Sequence, residues 1–166
     1  MADTKHAVIR LDRMSGTIDG SKIKSAKFYK NSEVAAIDNG NVVSITDELV
    51  DREVFKVKAP TATDTRENVG IVASVEIIYD TAVYHYDLSE FVNKANSVIR
   101  VYQPEAGDIF SVTAEALTGV PAKGKYVKIA EGATTLAVSD SAEGAFGAII
   151  DVETVDKKKF YVISVK

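Results

Sequence analysis

Residues 96–117, NSVIRVYQPEAGDIFSVTAEAL, constrain the fold more than any other part of the chain. Side chains alternate in character through residues 98–102 and again through residues 109–114, which is the two-residue period of a β-strand. Pro104 and Gly107 lie between the two runs and favour a turn. The segment therefore predicts two strands in a hairpin-like pair, and it carries no recognisable catalytic motif.

Short strand-like runs recur along the rest of the chain, separated by Gly, Pro, Asn and Ser. They cover residues 7–11, 26–30, 35–37, 42–45, 54–57, 71–88, 126–129, 132–141, 146–152 and 160–165. Asn39-Gly40 predicts a hairpin between the third and fourth runs, and the short link at 154–159 predicts another hairpin. We expect a mainly β fold, either an antiparallel sandwich or a barrel-like domain.

One short helix is predicted near residues 89–95, because the Ser89 hydroxyl can cap its first turn. A chain of 166 residues suits one β-rich domain spanning residues 1–166. Residues 1–25 are expected to form an N-terminal arm that can move. The Pro/Gly break at residues 119–124 is either a corner between sheets or a boundary between two lobes.

Composition argues against several partners. The net charge of −4 gives no general attraction for nucleic acid. The chain has no Cys, which removes disulfides, thiolate nucleophiles and Cys-based zinc sites. No apolar run approaches the roughly 20 residues of a membrane-spanning helix, and no secretory signal is visible. We therefore expect no membrane or nucleic-acid partner, and synthesis in the cytoplasm.

Two local groups of basic residues interrupt this acidic background, and Asp and Glu flank both. They are Lys22, Lys24, Lys27 and Lys30, and then Lys157, Lys158 and Lys159. We interpret both as solvated strand edges or turns, with a specific contact to an anion as the alternative.

The two histidines, His6 and His85, give little support for catalysis. On a strand, His85 would face away from its neighbours Tyr84 and Tyr86, and no nucleophile or orienting group is apparent from the spacing. A structural role is favoured over catalysis or metal ligation for His85, and His6 lies in the N-terminal arm that is expected to move.

Carboxylates form two groups near turns, and neither matches the ligand spacing of a calcium loop. The groups are Asp38, Asp47, Glu48 and Asp51, and Asp151, Glu153 and Asp156. We interpret them as solvated surface. Phosphate-binding and hydrolase motifs are also missing from the sequence. We therefore predict no catalytic, cofactor-binding or metal-binding residue, no cofactor, and a protein that is not an enzyme.

Aromatic residues crowd the middle of the chain, at Tyr79, Tyr84, Tyr86, Phe91, Tyr102 and Phe110. Most are expected in the core. An exposed stripe that binds carbohydrate or a partner is the alternative, because tyrosine combines an apolar ring with a polar tip.

Several short segments of the sequence together resemble those of a known family. They are DNGNVVSI near residue 40, REVFKVKAP at 52–60, the segment 96–117, GAFGAIIDVE, and FYVISV. The chain resembles small structural proteins that are encoded beside the major capsid gene of tailed phages and that decorate or cement the capsid. The resemblance implies binding to the lattice of the major capsid protein on the virion surface, and it leaves a homo-oligomer open.

The resemblance also directs attention to the segments that would contact a capsid. Residues 1–25 and the polar loop at 61–68 are expected to carry the contact, because termini and loops can order on docking. Two alternatives stay open: another virion assembly protein, such as a tail-tube or head-completion component, and a non-catalytic carbohydrate-binding module.

Overall fold

The computed structural model describes residues 5–78 and 87–166. These residues form short strands and single-turn 3₁₀ helices, and the predicted mainly β fold is confirmed. The strands are β1 (Ile9–Arg13), β2 (Ile23–Lys30), β3 (Glu33–Val34), β4 (Val42–Asp51), β5 (Val54–Lys58), β6 (Val69–Val72), β7 (Ile99–Tyr102), β8 (Ile109–Val112), β9 (Leu117–Thr118), β10 (Tyr126–Lys128), β11 (Leu136–Ser139), β12 (Gly147–Val155) and β13 (Lys158–Val165). The 3₁₀ helices are Ser15–Thr17, Gly20–Lys22, Leu88–Glu90 and Ala114–Ala116.

The strands form two sheets that pack together as in a β-sandwich. The first sheet has the order β1-β8-β13-β12-β10-β11-β9, and its only parallel pair among the described strands is β9 with β11. The second has the order β3-β2-β5-β4-β6-β7. Because β7 also pairs with β2, strands β2, β5, β4, β6 and β7 form a closed sheet.

Two groups of buried side chains follow from this arrangement. The smaller group belongs to the closed sheet and its flanking residues: Ala26, Phe28, Ile37, Val43, Val57, Val72, Ile99 and Val101. The larger group joins both sheets: Val42 and Ile71 come from the closed sheet, whereas Phe110, Ile149 and Ile163 come from the seven-stranded sheet. The two sheets therefore share a core, since apolar side chains from both are removed from water together.

The strands predicted within residues 96–117 are present as β7 and β8, but their predicted pairing is wrong. Strand β7 pairs with β2 and β6 in the closed sheet, whereas β8 pairs with β1 and β13 in the other sheet. The intervening turn, with Gly107 at φ +92°, leads from one sheet to the other. Alternation reports that each strand has a buried face, and it does not report which neighbour pairs with that strand.

The hairpin predicted at Asn39-Gly40 is also wrong, although the turn is present. Strand β3 pairs with β2, and β4 pairs with β5 and β6. Gly40 adopts φ +83° and donates its N–H to the carbonyl of Val72. The buried Asn39 amide donates to the Ser74 carbonyl and accepts from Asn93 Nδ2. These long-range hydrogen bonds direct the chain to a different part of the fold.

The hairpin predicted near residues 154–159 is confirmed. Strands β12 and β13 pair in antiparallel register, with Val155 opposite Lys158. Asp156 and Lys157 connect them at φ +48° and +67°. Positive φ at both central residues is the signature of the two-residue turn that suits the strand twist.

The helix predicted at residues 89–95 is a single 3₁₀ turn at Leu88–Glu90. Asp87 caps this turn by accepting the Ser89 N–H, so Ser89 is not the cap. The chain then extends, because the buried Asn93 exchanges backbone hydrogen bonds with Ile37. Tertiary pairing thus overrides a weak local helix preference.

Asp87 also provides a pH-dependent contribution to stability. A hydrogen bond from Lys158 and one from the Ser89 N–H hold the pKa of Asp87 at about 2, below the ordinary 3.8. The stabilisation is therefore complete above about pH 4 and is lost as the pH falls through about 2. We expect Asp87→Asn to lower the melting temperature near neutral pH, and we expect that difference to shrink between about pH 4 and pH 2.

Thermal unfolding followed by circular dichroism across this pH range checks the expectation. Asp140→Asn is the matched control, because it removes the same charge from an exposed carboxylate. A melting-temperature difference for Asp87→Asn that stays constant down to pH 2 would contradict the assignment.

The strand predicted across residues 71–88 is wrong for residues 73–78. Strand β6 ends at Val72, and Val75 and Ile77 are half exposed beyond it. The prediction is also wrong for Asp87 and Leu88, which cap and begin a 3₁₀ helix, and its part at residues 79–86 lies outside the described residues.

Two segments were predicted to form an arm and a lobe boundary, at residues 1–25 and 119–124. Their described residues have defined places in the fold. From residue 5 onward, the first 25 residues supply β1, two 3₁₀ helices and the start of β2. Residues 119–124 connect β9 to β10, which are both strands of the seven-stranded sheet. The assignment of residues 1–166 to one domain stays a prediction. Among the described residues, no helix has the length and apolar character needed to cross a membrane.

Candidate functional site

The connection between β1 and β2 presents the most exposed large apolar side chain of the described residues. Ile18 is 91% exposed, and it lies between the 3₁₀ helices Ser15–Thr17 and Gly20–Lys22. We refer to residues 14–22 as the Ile18 loop. Single exposed apolar residues are common on protein surfaces, so the interest of Ile18 depends on how this loop is held.

Local hydrogen bonds give the Ile18 loop a defined shape. The backbone N–H and the hydroxyl of Thr17 both donate to the Met14 carbonyl, at 3.0 and 2.6 Å. The N–H groups of Ile18 and Asp19 both donate to the Ser15 carbonyl. The backbone on both sides of the Ile18 side chain is therefore fixed by short-range bonds.

A buried carboxylate ties the Ile18 loop to the body of the protein. Asp108 Oδ1 accepts the Ser15 N–H at 2.9 Å and the Ser15 hydroxyl at 2.6 Å. Its Oδ2 accepts the Glu105 N–H at 2.9 Å. Close packing also holds the loop against the body of the protein, because a Cβ on Gly16 would lie 2.7 Å from Tyr102 Cδ1. A larger residue at position 16 would displace the loop or the tyrosine ring.

The charges around Ile18 are also held in place. The hydroxyl and N–H of Ser21 lower the pKa of Asp19, and the N–H bond of 3.0 Å fixes that carboxylate next to Ile18. Lys22 pairs with Glu105 at 2.5 Å, and this carboxylate raises the pKa of Lys22. The loop therefore combines a projecting apolar side chain with a fixed negative charge next to it.

The second region expected to carry contacts, residues 61–68, is a compact polar loop. Asp64 accepts the Thr61 N–H, Asn68 accepts the Thr65 N–H, and the Asn68 amide donates to Asp64. Arg66 donates to the Lys166 carbonyl at 2.8 Å. Hydrogen bonds within the loop and one to Lys166 therefore hold it, and it presents no large exposed apolar side chain.

The titratable residues that were named from the sequence make ordinary contacts in the structure. His6 Nδ1 lies 2.8 Å from Asp38 Oδ1, which joins the segment before β1 to the Asn39 turn. His85 lies outside the described residues. Three of the carboxylates form ion pairs: Glu48 with Lys56, Asp151 with Lys123, and Glu153 with Arg10.

Among residues 5–78 and 87–166, no group of three or more His, Cys, Asp or Glu is placed to hold a metal ion. The carboxylates of the two groups at 38–51 and 151–156 are not brought together into such a site.

The aromatic residues do not form an exposed stripe in the part of the chain that is described. Tyr102 and Phe110 are buried in the shared core, and Phe91 is partly buried. Tyr79, Tyr84 and Tyr86 lie outside the described residues.

Sequence reasoning selected residues 1–25 without identifying Ile18. The available signal was an isolated isoleucine between Gly16 and Gly20, in a stretch with no strand or helix period. Asp108 gave no signal, because its partner Ser15 is distant in the sequence.

Comparisons of the chain with models of protein families, with curated proteins and with solved structures find no match.

Proposed function

We propose that this protein is a structural, non-catalytic component of a phage virion that binds the outer surface of the assembled capsid and stabilises it. The observation that carries the proposal is the Ile18 loop, in which a 91% exposed isoleucine projects from a fixed backbone. A preformed loop loses little conformational entropy on binding, so more of its contact energy contributes to affinity.

The physical demands of capsid binding are compatible with a modest contact of this kind. A lattice presents many equivalent sites, and simultaneous engagement of neighbouring subunits raises the overall affinity. A protein that binds only the assembled shell shifts the equilibrium toward that shell. A β body with a shared core supplies a stable support for the loop, since neither sheet need rearrange for Ile18 to make contact.

Replacing Ile18 with aspartate is expected to weaken binding to preformed capsids by roughly 10- to 100-fold. Burial of one isoleucine side chain contributes about 1.5–3 kcal/mol, which corresponds to that range of affinity. Co-sedimentation of the purified protein with capsids from the phage that carries its gene measures the change. Ile18 is exposed, so the variant should unfold at the wild-type urea concentration.

Val120→Asp is the matched control, because Val120 is 77% exposed and follows β9 at the opposite edge of the seven-stranded sheet from β1. Wild-type binding by Ile18→Asp would remove the Ile18 loop from the proposal. Failure of the wild-type protein to bind any capsid would refute the proposed function itself. Size-exclusion chromatography with light scattering adds a further check, because isolated rings would favour a tail-tube or head-completion protein.

A further inference from the structure

A pocket of about 230 Å³ lies away from the Ile18 loop and gathers four lysines. Its lining comes from Lys5, which precedes β1 by four residues, from the 3₁₀ helices Leu88–Glu90 and Ala114–Ala116 with Thr113 before the second, from the β12–β13 turn, and from the start of β13. We call it the lysine pocket. Its basic residues are Lys5, Lys157, Lys158 and Lys159.

The turn geometry explains how Lys157 lines the same pocket as Lys158 and Lys159, which are the first two residues of β13. On a regular strand, Lys158 would face away from Lys157 and Lys159. Lys157 instead lies in the two-residue turn at φ +67°. The turn thereby brings together charges that a regular strand would separate, and Lys5 adds a fourth from a distant part of the sequence.

The positive charges in the lysine pocket exceed the negative charges that face it. Lys158 is paired with Asp87, and Glu115 also lines the pocket. Within the described residues, Lys5, Lys157 and Lys159 have no carboxylate within ion-pair distance. Unpaired ammonium groups that line one pocket repel one another as they approach, and a bound anion would offset that repulsion.

Hydroxyl groups add neutral donors to this surface. Thr113 is only 5% exposed, and its oxygen accepts the Val8 N–H at 3.1 Å. The Thr113 hydroxyl proton and the Tyr161 hydroxyl have no hydrogen-bond acceptor in the part of the chain that the structure describes. Buried hydroxyls normally donate a hydrogen bond. An acceptor bound in the pocket would therefore accept the hydrogen bond that the Thr113 hydroxyl can donate.

We propose that the lysine pocket binds an oxyanion, either a phosphate group or a carboxylate group. The ammonium groups of Lys5, Lys157 and Lys159 supply the charge, and the hydroxyls of Thr113 and Tyr161 supply directed hydrogen bonds. The pocket is large enough for one such group together with ordered water. This inference is independent of capsid binding, because it uses none of the Ile18 loop.

Titration of the ¹⁵N-labelled protein with sodium phosphate, and separately with sodium acetate, tests the proposal when chloride keeps the ionic strength constant. We expect saturable amide shifts at residues 113–115 and 157–161 with at least one of the two anions. Stronger binding of phosphate assigns a phosphate-type ligand, and binding of acetate at least as strong assigns a carboxylate. Shifts at these residues that stay linear and do not saturate with either anion would overturn the proposal.

The double variant Lys157→Gln/Lys159→Gln should weaken binding by up to about 30-fold, since each of the two exposed charge pairs contributes up to about 1 kcal/mol. Tyr161→Phe should also weaken it, because only the hydroxyl is lost. Lys30→Gln/Lys58→Gln is the matched control: it makes the same change in net charge at exposed positions outside the pocket. Equal affinity of the pocket variant and this control would overturn the site.

Discussion

Replacing Phe110 with alanine is expected to lower the free energy of unfolding by about 3–5 kcal/mol. Phe110 is fully buried in β8, opposite Ile163 of β13, and it belongs to the core that both sheets share. The substitution removes a large apolar side chain and leaves a cavity that strands fixed by hydrogen bonds can only partly close. Domains commonly have about 5–15 kcal/mol of stability, so this loss is a large share.

Urea denaturation followed by fluorescence and circular dichroism measures the change. Val120→Ala is the control, because Val120 is exposed and its truncation should cost less than about 0.5 kcal/mol. A loss below about 1.5 kcal/mol for Phe110→Ala would show that the two sheets do not depend on a common core in the manner described.

Replacing Asp108 with alanine is expected to cost about 3 kcal/mol and to loosen the Ile18 loop. The Asp108 carboxylate accepts three hydrogen bonds, two from Ser15 and one from the Glu105 N–H. A fully buried donor that loses its acceptor costs about 1–3 kcal/mol, and these three hydrogen bonds are only partly buried, so access of water reduces the total below the simple sum. Asp108→Asn should cost less, because its amide oxygen can still accept some of these bonds.

Urea denaturation gives the stability of both Asp108 variants, and amide hydrogen exchange at Ser15 and Glu105 reports the local effect. Exchange at these two amides should accelerate more than exchange at core amides of β8. Asp140→Ala is the control, since it removes an exposed carboxylate whose only ion-pair partner among the described residues is Lys125. Unchanged exchange at Ser15 would contradict the role of Asp108 as the anchor of the loop.

The β class of this fold could be predicted because its signal is local. Alternating side chains identify β7, β8 and β12, and the two-residue turn at Asp156 and Lys157 fixes the register of β12 with β13. Period, turn chemistry and pairing agree in that hairpin, so the sequence pattern was sufficient there.

The pairing of the other strands could not be predicted because it depends on contacts between distant residues. Asn39 illustrates this: its side chain bonds to Ser74 and Asn93 and diverts a turn that otherwise favours a hairpin. Likewise, the alternation in β7 and β8 is satisfied equally by one shared sheet or by two different sheets. Local preference is a weak guide where buried polar groups take long-range partners.

The two candidate sites could be only partly predicted from the sequence, for the same reason. Lys157, Lys158 and Lys159 stand out in the sequence, yet they were interpreted as a solvated turn, because Lys5 and Thr113 join them only in the folded chain. Ile18 lay inside a region expected to make contacts, but its fixed presentation depends on Asp108, about ninety residues away.

The placement of β1 has a consequence for the order of folding. Strand β1 pairs with β8, and the whole closed sheet, β2 to β7, lies between them in the sequence. The closed sheet is thus a contiguous insertion between two neighbouring strands of the other sheet. Its residues can assemble from one uninterrupted stretch of chain, whereas β1 must await β8 across the longest loop closure among the described strand pairs. Until β1 arrives, β8 has an open edge that a second copy's β1 could occupy, so strand exchange is the misassembly that we expect of this topology.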